Sequence, residues 1–105
     1  MLPSELCIDE FLQFLADHCD EVVGYSGISF FHNPLAEWLT QKCRALVAVD
    51  TSSYGCVSAP YSYPLPRWGT QLVFWMERCT PAPLTGETVF LALSQVEVGL
   101  RLQRF

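Results

Sequence analysis

Hydrophobic residues recur at helical spacing most clearly in Leu65–Cys79. Pro66 suits the first turn of a helix, because its missing N–H has no intrahelical partner to lose. One apolar face follows a 3.6-residue repeat. It is formed by Trp68, Leu72, Trp75, Met76 and Cys79. Since further apolar residues widen this face, we expect the helix to lie at the centre of the fold, with Trp68 and Trp75 largely buried.

A second helical pattern predicts an amphipathic helix over Ser4–Val23, with Ser4 as its cap and Gly24 as its stop. Its apolar stripe is Ile8, Phe11, Leu12, Leu15, Cys19 and Val22. On the opposite arc lie five acids that are candidate contact residues: Asp9, Glu10, Asp17, Asp20 and Glu21. On one continuous helix they would form a ridge about 18 Å long. The alternatives are a solvated face that keeps the protein soluble and a contact surface for a basic partner.

The remaining segments carry local signals for two more helices and a hairpin. Asn33 and Pro34 mark the cap and first position of a helix that ends near Lys42. Tyr25–His32 is a loop or a short extended piece that would return Phe30 and Phe31 to the core. Alternating apolar residues and turn chemistry predict a β-hairpin over residues 44–63, with room for a third short strand.

The C-terminal third begins with Thr80–Pro83, which predicts a stiff linker. Thr85 is the predicted cap of a last helix that ends near Gly99. The 105 residues therefore predict one α+β domain, residues 1–105, in the order two helices, a hairpin and two helices.

The hairpin contains sixteen consecutive uncharged residues, Thr51–Pro66, rich in Ser, Gly, Pro and Tyr. Tyr54, Tyr61 and Tyr63 are candidate partner-binding residues, because tyrosine supplies contact area at low entropic cost. Tyr61 and Tyr63 share a face if the segment is extended. An ordinary hairpin whose tyrosines pack on the Trp68 helix explains the composition equally well.

Charge is distributed unevenly along the chain. Residues 1–41 hold seven acids and no Lys or Arg, although the net charge of the chain is only −5. The six bases are scattered over the remainder, so the basic patch needed for direct nucleic-acid binding is not expected. A protein with a basic surface is the predicted partner.

No pattern in the sequence is typical of an active site. The five cysteines have no metal-site spacing, and phosphate loops and nucleophile motifs are absent, so we expect free thiols, no cofactor, no metal and no enzyme. The enzymatic alternative is a cysteine nucleophile paired with His32. No apolar run reaches the length of a membrane span. Acids stand where a signal peptide has bases, so a cytoplasmic location is expected.

Three short stretches carry a resemblance. Residues 34–39 (PLAEWL) precede a hairpin, then residues 65–68 (LPRW), then a Thr85-led helix with Leu91 and Leu93. Over residues 33–97 this order resembles a group of short uncharacterised proteins of actinobacterial and cyanobacterial genomes, phages and mobile elements. Gly86 departs from the helix-favouring residue expected after Thr85. The resemblance implies only a small cytosolic helical protein with a central hairpin, since the group has no activity that could be transferred to this chain.

These observations predict a small acidic, non-enzymatic protein-binding module. A phage or mobile-element inhibitor, similar to anti-CRISPR proteins in size and acidity, fits this description, with a nucleic-acid-handling protein as its target. The alternative is an accessory or self-associating subunit that buries the tyrosine-rich hairpin in a homo-oligomer.

Overall fold

The computed structural model of the chain describes residues 2–27, 30–59 and 61–102, with the backbone alone at residues 97–102. The described residues contain four helices and five short strands. The elements are α1 (Ile8–Asp17), β1 (Val22–Tyr25), α2 (Pro34–Cys43), β2 (Val47–Val49), β3 (Ser53–Cys56), β4 (Tyr63–Pro64), α3 (Arg67–Arg78), β5 (Pro83–Thr85) and α4 (Gly86–Leu102). The predicted α+β class is confirmed.

The strands form two antiparallel sheets. The first pairs β1 with β5, from Val22 opposite Thr85 to Tyr25 opposite Pro83, with an irregularity between Val22 and Gly24. The second is the predicted hairpin with its third strand, in the order β2, β3, β4. Helix α2 packs against β1 and β2, while α4 packs against α1 and α3.

Helix α2 follows its sequence signals closely. The Asn33 side chain accepts a hydrogen bond from the Ala36 N–H at 2.8 Å, and Pro34 takes the first helical position, as predicted. The same side chain donates to the Val49 carbonyl at 3.1 Å. One capping residue therefore both starts α2 and fixes it to the edge of the second sheet.

The turn between β2 and β3 is organised by Asp50. Its Oδ1 accepts hydrogen bonds from the N–H groups of Ser52 and Ser53, at 2.8 and 2.7 Å. Burial alone would raise the pKa of Asp50, but the hydrogen bonds from the two serines outweigh it and hold the pKa below its usual value. Residues 50–52 are the whole connection between the two strands, so β3 begins at Ser53.

The first helix is shorter than predicted. It ends at Asp17 and not at Val23, and the chain turns before entering β1. Val22 and Val23 continue the helical stripe in sequence, but they alternate between exposed and buried in a strand paired with β5. Pairing with a distant segment therefore overrides the local helical pattern, and Gly24 lies inside a strand.

The aromatic core is centred on Phe11. This side chain is fully buried, with its ring centroid 4.9 Å from that of Trp38 and 5.8 Å from that of Trp68. Trp38 is 6% exposed, whereas Trp68 and Trp75 are only partly buried at the margin of the core. Trp68 and Trp75 therefore pack against the core without belonging to its fully buried centre. Their helix α3 buries Leu72, Val73 and Met76 instead.

Two aromatic residues before α2 also depart from expectation. Phe30 and Phe31 are 47% and 38% exposed, so they lie at the surface and not in the core. The Phe30 carbonyl accepts a hydrogen bond from the Val49 N–H at 2.8 Å, which places this segment along the outer edge of β2.

The segment after α3 contains a strand that the sequence did not indicate. Pro83–Thr85 forms β5, which runs from the end of the predicted linker at Pro83 to the predicted cap Thr85. The strand was missed because its partner β1 is distant in sequence. Thr85 caps α4 as predicted, accepting from the Thr88 N–H at 3.3 Å. The helix continues through Gly99 to Leu102. Of the expected tail, residues 103–105 lie outside the described residues.

At Gly86, the start of α4 packs directly against the backbone at the end of α1. The Gly86 and Glu87 N–H groups donate to the carbonyls of Glu21 and Cys19, both at 3.1 Å. A β-carbon at Gly86 would lie 2.5 Å from the His18 carbonyl oxygen and nearer still to that of Leu15. The approach of the two backbones requires glycine, which explains why a helix-favouring residue is absent here.

We expect Gly86→Ala to destabilise the protein although alanine is the better helix former. The added methyl group meets backbone oxygens that cannot rotate away, so the free energy of unfolding should fall by about 2–3 kcal/mol. Gly69→Ala is the control, since its β-carbon would meet the Leu65 side chain, which can adjust. Urea denaturation measures both variants. Equal losses of unfolding free energy for Gly86→Ala and Gly69→Ala would contradict the explanation by backbone contact at Gly86.

The positions of the tryptophans predict unequal losses on truncation. Trp38→Ala removes a buried ring in contact with Phe11 and should cost about 3–5 kcal/mol. Trp75→Ala should cost clearly less, because that ring is partly in water. Denaturation midpoints of the two variants decide the order. A larger loss for Trp75→Ala would place the centre of the core at α3.

Candidate functional site

The five predicted contact acids are all exposed. Asp9, Glu10 and Asp17 lie on α1, and Asp20 and Glu21 lie in the turn before β1. We call these five residues the acidic surface. The continuous helical ridge is wrong, because α1 ends at Asp17 and the chain changes direction before Asp20.

Three of these carboxylates have partners within the chain. Glu10 forms a salt bridge of 2.6 Å with Lys42, whose ammonium lies 5.2 Å from the centre of the Trp38 ring. Asp17 accepts a hydrogen bond from the Gln13 side chain at 2.9 Å, and Glu21 contacts the His18 ring. In the described part of the chain, Lys42 is the one Lys or Arg that forms a salt bridge with the acidic surface. Among the described Lys and Arg residues, one therefore offsets one of the five carboxylates of the acidic surface.

Tyr54 is a core residue. It is 1% exposed, and its hydroxyl donates to the Pro3 carbonyl at 2.7 Å, which holds the N-terminal segment against the second sheet. Burial raises the pKa of its phenol, and the nearby Tyr63 and Glu5 raise it further. Its assignment as a partner-binding residue is therefore wrong, because other residues of the same chain already cover the ring.

Tyr61 and Tyr63 remain available for contact. Tyr61 is 62% exposed, and its ring meets that of Tyr63 edge-on with centroids 5.8 Å apart. Tyr63 is partly buried and lies 5.7 Å from Tyr54. The three tyrosines thus form one row that runs from the core to the surface, and its outer end is a candidate contact.

The outer face of the second sheet holds a shallow cavity of about 310 Å³. Ala48 opposes Gly55 in the pairing of β2 with β3, so small residues form its floor. Phe30 and Tyr61 are exposed walls, and Asp50 stands among the lining residues. This arrangement can receive an apolar group of a partner.

A second depression, which the sequence did not indicate, lies between α1 and α4. It has a volume of about 230 Å³ and is lined by Leu15, Ala16, Cys19, Glu87, Phe90 and Leu91. We call it the α1–α4 groove. Its most exposed large apolar residue is Leu91 on α4, which is 57% exposed. The groove lies beside the acidic surface, since Ala16 and Cys19 directly precede Asp17 and Asp20.

The cysteines differ in their surroundings. Cys43, Cys56 and Cys79 are partly buried, whereas Cys7 and Cys19 are exposed, and all five are free thiols in this structure. Burial raises the pKa of the Cys43 thiol, with a further contribution from Cys56. Within the described ranges, no three His, Cys, Asp or Glu side chains are grouped so that they could hold a metal ion.

None of the helices described here has the length and apolar character needed to cross a membrane. Comparison of the chain with protein-family models, curated proteins and solved structures finds no match.

The hydroxyl of Tyr54 gives a testable link between the sheet and the N-terminal segment. Tyr54→Phe leaves the Pro3 carbonyl without its donor and should cost about 1 kcal/mol of unfolding free energy. Tyr61→Phe is the matched control and should cost nothing, because that side chain is exposed. Urea denaturation at neutral pH measures both.

The raised pKa of Tyr54 predicts that the protein loses stability in alkali. The pKa of the Tyr54 phenol is raised in the folded state. The stabilisation that the neutral phenol gives is therefore complete below its unfolded-state pKa of about 10, and it is lost as the pH rises through the folded-state pKa. Tyr54→Phe should remove this part of the alkaline loss. An unchanged alkaline profile in the variant would show that Tyr54 titrates as it does in the unfolded chain.

Proposed function

We propose that this chain is a non-enzymatic protein-binding module whose acidic surface docks on a basic protein. The observation that carries the proposal is the exposure of all five carboxylates, of which Lys42 neutralises Glu10 alone among the described salt bridges to Lys or Arg. A net charge of −5 adds to the attraction of a basic partner.

The geometry suits electrostatic steering. Asp9 and Asp17 are carried on a helix whose opposite face is buried through Phe11 and Leu15, so the charges are held on a firm support. Clustered charge of one sign raises the association rate with an oppositely charged surface, and salt screens this effect.

A nucleic-acid-handling protein is the partner class that we favour. Such proteins expose Lys and Arg in the grooves that receive phosphates. An exposed row of carboxylates can occupy a groove of this kind. In this role the chain acts as an inhibitor, and a phage or mobile-element inhibitor of the anti-CRISPR type is the form that we propose.

A self-associating subunit is the second candidate. It is favoured by the exposed apolar residues around the cavity on the second sheet, since Phe30, Val57 and Tyr61 are 47%, 57% and 62% exposed. Exposed apolar residues grouped in this way are typical of contact surfaces. A mass that rises with concentration for the isolated chain would favour this candidate.

The acidic surface is tested by two double variants of equal charge change. Asp17→Asn/Asp20→Asn should slow association with a basic partner isolated by affinity capture, by about 3–10-fold at low salt, and should flatten the salt dependence. Glu5→Gln/Glu77→Gln removes two acids outside the acidic surface. It should leave the association rate and its salt dependence nearly unchanged. The measurement is the association rate at two salt concentrations.

Two results would count against the proposal. If Asp17→Asn/Asp20→Asn associates as fast as the wild type at both salt concentrations, the carboxylates take no part in binding. If both double variants slow association equally, net charge matters and the location of the acids does not.

A further inference from the structure

The α1–α4 groove is apolar in its lining and open to solvent. Leu91 is 57% exposed at one side, and Phe90 is partly buried beside it. Leu15 closes the bottom, because it is fully buried, while Ala16 and Cys19 are exposed on the opposite side. Exposed apolar surface of this kind favours removal from water by a partner.

The rim of the groove is acidic. Glu87 is one of the lining residues, and exposed Asp17 and Asp20 directly follow the lining residues Ala16 and Cys19. Asp9 lies on the same stripe of α1 as Ala16, two turns earlier or about 10 Å along the helix axis. Among the lining residues that the structure describes, none is Lys or Arg. An apolar floor with a negative rim is complementary to a ligand that is apolar in the middle and positive at its edges.

The shape of the groove is fixed by the backbone. Gly86 packs against the carbonyls of Leu15 and His18, and two main-chain hydrogen bonds join the start of α4 to the turn after α1. The two walls are therefore held at a set distance before any partner arrives. Binding to a preformed groove avoids part of the entropic cost of ordering it.

We infer that the groove receives one amphipathic helix of the partner, with its apolar face on Leu91 and its Lys and Arg residues beside the acidic rim. This inference rests on the proposed function and specifies its partner. A volume of about 230 Å³ holds one or two apolar anchor side chains, while small-molecule pockets are usually larger. Helices bind in grooves through anchors at i, i+3, i+4 and i+7.

Charge selects this occupant over two others. A second copy of the chain carries the same net charge of −5, and its acidic surface would be repelled from the rim. An anionic membrane would be repelled for the same reason. A basic amphipathic helix alone satisfies both the floor and the rim.

The test uses a synthetic helical peptide of eighteen residues with leucines along one face and lysines on the other. Its affinity is measured by fluorescence anisotropy at low and high salt. A peptide with serine in place of leucine and one with glutamate in place of lysine are the controls. The leucine–lysine peptide should bind, and each control peptide should bind at least about tenfold more weakly.

Two variants of equal charge and similar exposure locate the binding site. Leu91→Lys places a base in the groove and should weaken binding at least about tenfold. Leu46→Lys changes a leucine that is 51% exposed before β2, so the affinity should stay within about twofold of the wild type.

Cys19 reports occupancy of the groove without any mutation. Bound peptide should slow its alkylation by N-ethylmaleimide at least about threefold, because Cys19 lines the groove. Cys7, exposed at the other end of α1, is the internal control and should react at an unchanged rate. Peptide mapping by mass spectrometry gives both rates in one sample.

The outcomes separate the groove from the proposed function. If binding is salt-sensitive and weakened by Asp17→Asn/Asp20→Asn, but Leu91→Lys binds as tightly as the wild type and Cys19 is not protected, the groove is overturned and the acidic surface stands. Binding that depends on Leu91 and protects Cys19 but ignores salt supports the groove and overturns electrostatic docking. Absence of binding to the leucine–lysine peptide overturns the groove.

Discussion

The approach of two backbones at Gly86 is the constraint on which the rest of the fold depends. The first N–H groups of a helix have no intrahelical acceptor, and here two of them are satisfied by the carbonyls of Glu21 and Cys19. The hydrogen bonds require the two segments to lie closer than any side chain would permit. They bring β5 alongside β1 and set the distance between α1 and α4.

A second close approach completes the arrangement. A β-carbon at Gly24 would lie 2.6 Å from the Pro34 nitrogen and 2.8 Å from the His32 carbonyl oxygen, so β1 lies directly against the start of α2. The Tyr25 N–H donates to that His32 carbonyl at 2.8 Å. The small sheet of β1 and β5 is thus held by α1, α2 and α4 through main-chain contacts, although it buries few large side chains of its own.

The elements that could be predicted from the sequence are those with local causes. The Asn33–Pro34 cap, the apolar face of α3 and the turn residues of the hairpin each act within a few positions, and each gave an element of the right type. Strands β1 and β5 could not be predicted, because each is short and finds its partner far along the chain. Their residues read instead as the end of a helix and a linker.

The difference between local and long-range causes also explains which predictions about the placement of the candidate site residues were right. Asp9, Glu10 and Asp17 are exposed because they lie on α1 opposite its buried apolar face. Asp20 and Glu21 are exposed because they lie in the turn that follows α1. The burial of Tyr54 depends on the N-terminal segment reaching across the sheet to present Pro3, and no local pattern reports such a contact. The α1–α4 groove arises from the distance between two helices at opposite ends of the chain, so it too is invisible to periodicity.

The pairing of β1 with β5 has a consequence for the order of folding. More than half of the chain lies between Val22 and Thr85, whereas the strands of the hairpin are neighbours in sequence. Closing a long loop costs more entropy than closing a short one, and distant contacts slow folding. The hairpin and α2 can therefore form while the protein is still being synthesised, but β1 has no partner until residues 83–86 are available. Until α4 is available, the part of α1 that packs against α4 remains uncovered, although Phe11 can already contact Trp38. This is the interval in which the nascent chain most needs protection from aggregation.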